Sequence, residues 1–516
     1  ACLVHASGAA PPPGGLAPGG SPGRLAKEAR SSALRPARAE SSLQPSAAMH
    51  TPAAPGLAAA ALLTVCLPLP AQDLALFSEG PWLLGQEAAI QISAPGQAGA
   101  PYLAALSLGT WQGIETPAGL VGLELDELLL STLGGGPGLS GFSGTLDGAG
   151  RATARLAVPD NPALEGLELH AAALRIDLGA PGGIGAISNT LTRRLRGQAP
   201  SYATAALDAA LQGFSEAWAF NDGLALCFVQ NGRVQHAVAF GDIGLSTRVP
   251  YASATKWISG LALMRLVDQG SVQLADRLSD WLPTFAGPKA AITFAQAFAH
   301  TSGLPAQAPC IGDTGSTLQA CGAAIGLGAL PDAPGSVFKY GGVSMQAAGA
   351  AMELIVGQGF EAWMAADLIH KLGPSTYALD GFGSTLNPRI AGGGMGSVLD
   401  YAPILALTLD GGALLGQRIL STDALRAQIG EQTGGAPVAS SPLPGAAGYG
   451  IGLWRERVGP RGEPQQISSP GAFGAYPLVD FELGYGAFLL MRRSTADAQA
   501  VLAVIQPLLE ALAREG

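Results

Sequence analysis

Charge is scarce in this sequence. Only 13% of its 516 residues are Asp, Glu, Lys or Arg, and the net charge is −10. No basic cluster occurs in the body of the chain, which argues against nucleic acid as a partner, because phosphate contacts need gathered Lys and Arg. Histidine and cysteine are few as well, six and five. The histidines are scattered, no HExxH occurs, and no Cys/His spacing suits zinc. The sequence therefore implies neither a metal nor a cofactor. Long apolar runs are also missing. The longest candidate, residues 56–67, is too short to span a bilayer. In abundance are glycine (73) and proline (38), which favour turns and loops, and a 48% hydrophobic share that fills a large core. The length allows more than one domain.

Residues 1–48 are rich in Ala, Pro, Gly, Ser and Arg without periodicity, and would not fold alone. Met49 then opens MHTPAAPGLAAAALLTVCLPLPAQ, so residues 49–71 read as a signal peptide cleaved after Ala71. Two readings of residues 1–48 stand: an upstream artefact of a start at Met49, or a disordered tail. A lipid anchor on Cys66 is disfavoured by Val65, where a small residue is wanted. The mature protein is expected to be exported, to the periplasm, the cell surface or the medium, and an envelope association fits this. In such an oxidising setting Cys310 and Cys321 are expected to pair, whereas Cys227, in the apolar run LALCFVQ, reads as a buried free thiol.

Residues 73–190 form a distinct block. Short runs such as EAAIQISAP, YLAALSLG, GLELDELLL, RATARLAVP and LELHAAALRID are separated by turn residues, as in LDGAG. Regular short strands of this kind predict a small all-β sandwich. The stretch around Ser143 lacks the full G-x-S-x-G and lies between turn residues, so it is no nucleophile elbow. A binding or spacer role is the default for this block, and carbohydrate is one candidate ligand. Residues 191–200, polar and ending in Pro200, read as a linker.

From residue 201 the pattern mixes helix and strand. YATAALDAALQGF is amphipathic, LALCFVQNGRVQHAVAFG is a hairpin with an Asn231-Gly232 turn, and the end reads as a strand followed by a closing helix. An antiparallel sheet flanked by terminal helices, with a helical region inserted, is an α+β plan for residues 201–512.

The chemistry concentrates in Tyr251-Ala-Ser253-Ala-Thr-Lys256, followed by WISGLALMRLVDQG. The apolar run and Gly270 predict a helix starting near Ser253, which sets Ser253 and Lys256 on one face. A serine hydroxyl needs a base to become a nucleophile, and a desolvated lysine can be that base near neutral pH. Ser-x-x-Lys alone is weak, since Ser336-Val-Phe-Lys339 repeats it with no helix after it.

Context separates the two copies. Ser253-Ala-Thr-Lys256, the DRLSDWLP stretch and His300-Thr-Ser-Gly-Leu304 resemble, in order, the opening motifs of the serine β-lactamase, DD-peptidase and family VIII esterase group. The resemblance covers about residues 205–510. It implies a β-lactamase/transpeptidase-like fold, a structural role for His300, and proton transfer by a tyrosine, here Tyr340. The family's Tyr-x-Asn motif departs at Gly342, which removes an amide used on the acylamide of β-lactams; Gln346 is one candidate replacement. The third motif, Lys-Thr-Gly or similar, matches Ser469-Pro470-Gly471, with no cation to hold a substrate carboxylate. By the same resemblance Gly471 keeps a substrate-binding strand clear, and the N–H groups of Ser253 and Ala472 form an oxyanion hole. The stretch NPRIAGGGMG resembles the family's A-G-G segment, and Gly392–Gly394 is expected to pack closely near the site mouth.

The expectation is a serine hydrolase acting on a small ester, amide or peptide through an acyl-enzyme on Ser253, more esterase than β-lactamase or DD-peptidase. The alternative is a non-catalytic penicillin-fold binding or surface protein whose site has decayed.

Overall fold

Alternating apolar residues do become strands in the computed structural model, which describes residues 74–78, 80–199, 201–218, 222–373 and 375–516. The tail, the signal peptide and its cleavage point, Cys2 and Cys66 lie outside the described residues.

Among the described residues the N-terminal region contains two larger sheets and a two-stranded ribbon, Ile114–Thr116 with Gly119–Val121. One runs in the order Ala75–Phe77, Glu87–Ser93, Arg151–Ala157, Leu139–Ser140. The other runs Trp82–Leu83, Leu191–Arg196, Glu168–Ile176, Pro101–Ser107, Ser143–Thr145, with a sixth strand, Ile184–Ile187, also paired to Glu168–Ile176. Inward residues of both, among them Ile90, Ile92, Leu106, Leu156, Ala171 and Leu195, share one apolar core.

Two expectations need correction here. GLELDELLL is not a strand: Glu127–Leu133 is a helix, because the Asp126 carboxylate caps the Leu129 N–H at 2.8 Å and Glu127 sits favourably in the first turn. Residues 191–196 are not linker but a strand paired to Glu168–Ile176. The arginines that made this stretch look solvated have partners. Arg193 pairs with Asp410 at 3.0 Å and Arg194 with Glu168 at 2.6 Å. Arg196 donates to the carbonyls of Ala513, Arg514 and Gly516 at the end of the last helix. A cation suits those unpaired terminal carbonyls.

Residues 205–515 build the α+β part. Its seven-stranded antiparallel sheet runs Arg233–Phe240, Leu224–Gln230, Tyr485–Met491, Tyr476–Asp480, Pro464–Ser468, Trp454–Val458, Gly448–Tyr449. The first pair is the expected hairpin, with Asn231 (φ 54°) and Gly232 (φ 73°) left-handed as its tight turn requires. The helices Ala205–Ala217 and Thr495–Glu515 cover one face, burying Leu211, Phe228, Leu489, Ile505 and Leu509 together. Thr495–Glu515 is long and apolar enough to cross a membrane by length and composition, but its apolar residues face this sheet. Cys227, Val229, Phe488 and Leu490 point the other way, into the core shared with Thr255–Asp268, Val343–Val356 and Ala402–Leu409. Thr255–Asp268 is buried from Thr255 to Leu266. A helix buried on all sides holds its ends rigidly, and Ser253 stands at one end.

Candidate active site

The segment before the buried helix is stitched down on both sides. Tyr251 donates its N–H to the Gly394 carbonyl at 2.8 Å and its hydroxyl to the Ser397 carbonyl at 2.5 Å. Gly394 returns its N–H to the Thr255 hydroxyl at 2.9 Å. The close packing expected at Gly392–Gly394 is thus, at Gly394, a main-chain clamp on the turn that carries Ser253. Between these anchors Ala252 takes a left-handed conformation, φ 46°, which non-glycine residues rarely adopt without being held.

Ser253 is partly exposed at the mouth of this turn, and Lys256 lies beneath it, 3% exposed. The Lys256 amine is 3.0 Å from Ser253 Oγ and donates to the Ala391 carbonyl at 2.9 Å. It also stands 4.6 Å above the Tyr340 ring. Burial without a carboxylate partner lowers its pKa to about 7. A neutral amine here can keep one N–H on Ala391 and turn its lone pair toward Ser253.

Tyr340 follows the short strand Phe338–Lys339, which is held by the His300 carbonyl on one side and by residues 438–440 on the other. Its ring stacks on Trp454 at 5.3 Å. Burial raises its pKa, and an interaction with the Ser253 side chain partly offsets this. His300 is 2% exposed, donates or accepts at Tyr449 across 3.2 Å, and is held neutral by burial and by the nearby Lys256. It is a wall of the aromatic cluster behind Tyr340 and does not touch Ser253.

The regular strand Pro464–Ser468 ends just before the third motif, yet the Ser469 and Gly471 N–H groups still reach the Pro477 and Ala475 carbonyls, at 3.3 and 2.7 Å, so the motif carries the strand pairing on toward its turn. Gly471 is buried, and a Cβ there would meet the Tyr251 carbonyl at 2.1 Å. Its missing side chain makes room for the segment that carries Ser253. Ser469 is also buried, and its hydroxyl donates to the Ser253 carbonyl at 3.1 Å. Ala472 is exposed beside these residues. Among the described residues, neither the Ser253 nor the Ala472 N–H is used in the hydrogen bonds that tie these segments together.

Gln346 does not replace the missing amide of Gly342. It is 1% exposed and bonded to Asn387, Pro388 and Ile390, so it fixes the loop that presents the Ala391 carbonyl. At Gly342 an added Cβ would meet only Ala391 and Ile311 side chains, at 3.6 and 3.8 Å, so the space for a side chain stands open. Ile311 belongs to the loop closed by the disulfide Cys310–Cys321. Ser336-Val-Phe-Lys339 carries no such chemistry. Ser336 bonds the Ala333 carbonyl, and Lys339 pairs with Asp332.

The sequence reading missed two parts of this arrangement, the Ala391 carbonyl and the Ser469 contact to Ser253. The first is main chain and leaves no side-chain signal. The second was visible only as a lost cation.

Residues 214–509 match the Beta-lactamase family. Among solved structures, a candidate beta-lactamase from Bacteroides dorei DSM 17855 is 27% identical with a TM-score of 0.55, over 60% of this chain and 99% of that one. EstCE1, a hydrolase with promiscuous acyltransferase activity, is 19% identical with a TM-score of 0.48, over 61% and 100%. A beta-lactamase/D-alanine carboxypeptidase from Yersinia pestis is 19% identical with a TM-score of 0.46, over 58% and 98%. No curated protein matches the sequence.

Proposed function

The chain belongs to the beta-lactamase family, and from that membership we propose that it is an exported serine hydrolase that cleaves esters through an acyl-enzyme on Ser253. The observation that carries this reading is the buried Lys256 amine, 3.0 Å from Ser253 Oγ and with its pKa lowered to about 7. In the proposed reaction Ser253 Oγ attacks the ester carbonyl and its proton passes to neutral Lys256. The proton then returns, by way of Tyr340, to the departing alkoxide as the C–O bond breaks. Water, deprotonated by the same pair, releases the acid and restores Ser253. The N–H groups of Ser253 and Ala472 would receive the developing oxyanion, a kind of donor whose loss costs about 3–4 kcal/mol.

Three features favour an ester of a neutral acyl group over a β-lactam or a peptide C-terminus. Gly342 offers no amide, Ser469 has no charge to hold a carboxylate, and its hydroxyl is already occupied by the Ser253 carbonyl. The test is intact-protein mass after incubation with a fluorophosphonate probe. A single adduct on the parent and none on Ser253→Ala is the expected result. An unmodified parent would turn the reading to a non-catalytic binding protein on this fold.

A further inference from the structure

A cavity lies away from Ser253, at the seam where the N-terminal sheets meet the turns of the seven-stranded sheet. Its volume is about 360 Å³, within the range of small-molecule sites, about 300–1,000 Å³, and junctions between structural units are favoured places for them. Both parts of the molecule contribute walls, Trp111 and His170 from one, Phe481 and Arg461 from the other.

The charges lining it are largely spent on each other. Arg193 pairs with Asp410 at 3.0 Å, and Glu168 pairs with Arg194 at 2.6 Å. The Glu124 carboxylate accepts the backbone N–H groups of Trp111 and Gln112 at 3.2 and 3.4 Å. Among the described residues that line it, Glu124 and Arg461 are the charges left without an ion pair, and they are of opposite sign. Hydrogen-bonding capacity nevertheless remains. His170 is 8% exposed and uses Nδ1 on the Thr192 hydroxyl at 2.8 Å, which leaves Nε2 as a single neutral-ring donor or acceptor. Burial lowers the His170 pKa to about 4, so the ring is uncharged at neutral pH. Arg193, 3% exposed, keeps Nε without a partner. A buried donor without a partner is costly and calls for one.

A neutral imidazole and charges that balance one another, set beside two aromatic side chains, suit a ring with hydroxyls at its edge and C–H groups on its faces. We propose that the seam cavity binds a neutral saccharide of one or two rings, gripped by both parts of the chain. The occupant is distinct from the ester cleaved at Ser253. The sequence reading considered carbohydrate for residues 73–190 alone; Asn231, Asp410, Arg461 and Phe481 lie outside that stretch.

The experiment is a calorimetric titration of the protein with maltose, cellobiose and N,N′-diacetylchitobiose, repeated on Trp111→Ala, Trp111→Phe and Phe481→Ala, with melting temperatures as the check on folding. Saturable binding of at least one disaccharide is expected. Trp111→Ala or Phe481→Ala, whichever melts as the parent does, should weaken it at least about tenfold, and Trp111→Phe should keep most of it. Absence of saturable binding by all three sugars, or equal binding by both folded alanine variants, would overturn the proposal.

Discussion

Lys256 donates to the main-chain carbonyl of Ala391 at 2.9 Å, and this contact orients the amine toward Ser253. The carbonyl belongs to a loop that Gln346 holds by its side-chain amide. The amine is therefore aimed by a neutral acceptor, and with no carboxylate beside it burial sets its pKa unopposed. The first predictions follow from that pair.

Ser253→Ala is expected to lower kcat for a p-nitrophenyl ester on the order of 10³-fold or more, because the nucleophile is lost outright. Lys256→Arg should fall comparably, since a guanidinium stays protonated. Hydrolysis by either variant within tenfold of the parent, about 1.4 kcal/mol, would refute the assigned roles.

The pH profile should rise with an apparent pKa near 7, as Lys256 loses its proton. Stability carries a matching signature. The folded pKa lies below the unfolded one, 10.5, so between about 7 and 10.5 the unfolded chain binds more protons and stability rises with pH. The cost of burying the charge is fully present below about 7. Lys256→Met should accordingly raise the melting temperature relative to the parent at pH 6 by more than at pH 9. Thermal melts at the two pH values measure this, and an equal effect at both would contradict it.

Gly471→Ala is expected to cost about 10²-fold in kcat, because the new methyl would meet the Tyr251 carbonyl at 2.1 Å and push the Ser253 turn out of place. If the glycine instead only kept a substrate path open, kcat for the smallest acetyl ester would be spared.

Ser469→Ala removes one hydrogen bond to the Ser253 carbonyl, worth about 1 kcal/mol. A fall of roughly fivefold in kcat with little change in KM is expected of a positioning residue. A large rise in KM would mean that Ser469 binds substrate.

Reduction of Cys310–Cys321, or Cys310→Ser, should lower stability by about 3 kcal/mol on the chain-entropy account of a short loop. Because Ile311 borders the space at Gly342, KM for bulky esters should change more than KM for acetyl esters. Denaturant melts and a chain-length series of esters measure the two effects.

Much of the site was legible because its residues are close in sequence or carry distinctive side chains. Ser253 and Lys256 are one helical turn apart, and the apolar run from Trp257 announces the helix that holds them. Tyr340 was placed by resemblance to the family's Tyr-x-Asn motif, although Gly342 departs from it. The failures have physical causes. GLELDELLL alternates like a strand, yet the Asp126 cap decides for helix. The arginines of 191–196 look solvated until partners more than 200 residues away, such as Asp410, neutralise one of them.

The sequence by itself determined the α+β plan of residues 201–512 and the helix that starts near Ser253, which are local matters of periodicity and residue type; the missing amide at Gly342 and the missing cation at Ser469 came from its resemblance to family motifs. Tertiary structure alone decided that Gly471 makes room for Tyr251, that Ser469 bonds the Ser253 carbonyl, and that Ala391 receives the lysine. It also decided that the N-terminal sheets and the hydrolase turns share a cavity. Each of these is a contact between main chains or surfaces far apart in sequence, and a backbone carbonyl or an empty space looks the same in every sequence until the chain folds around it.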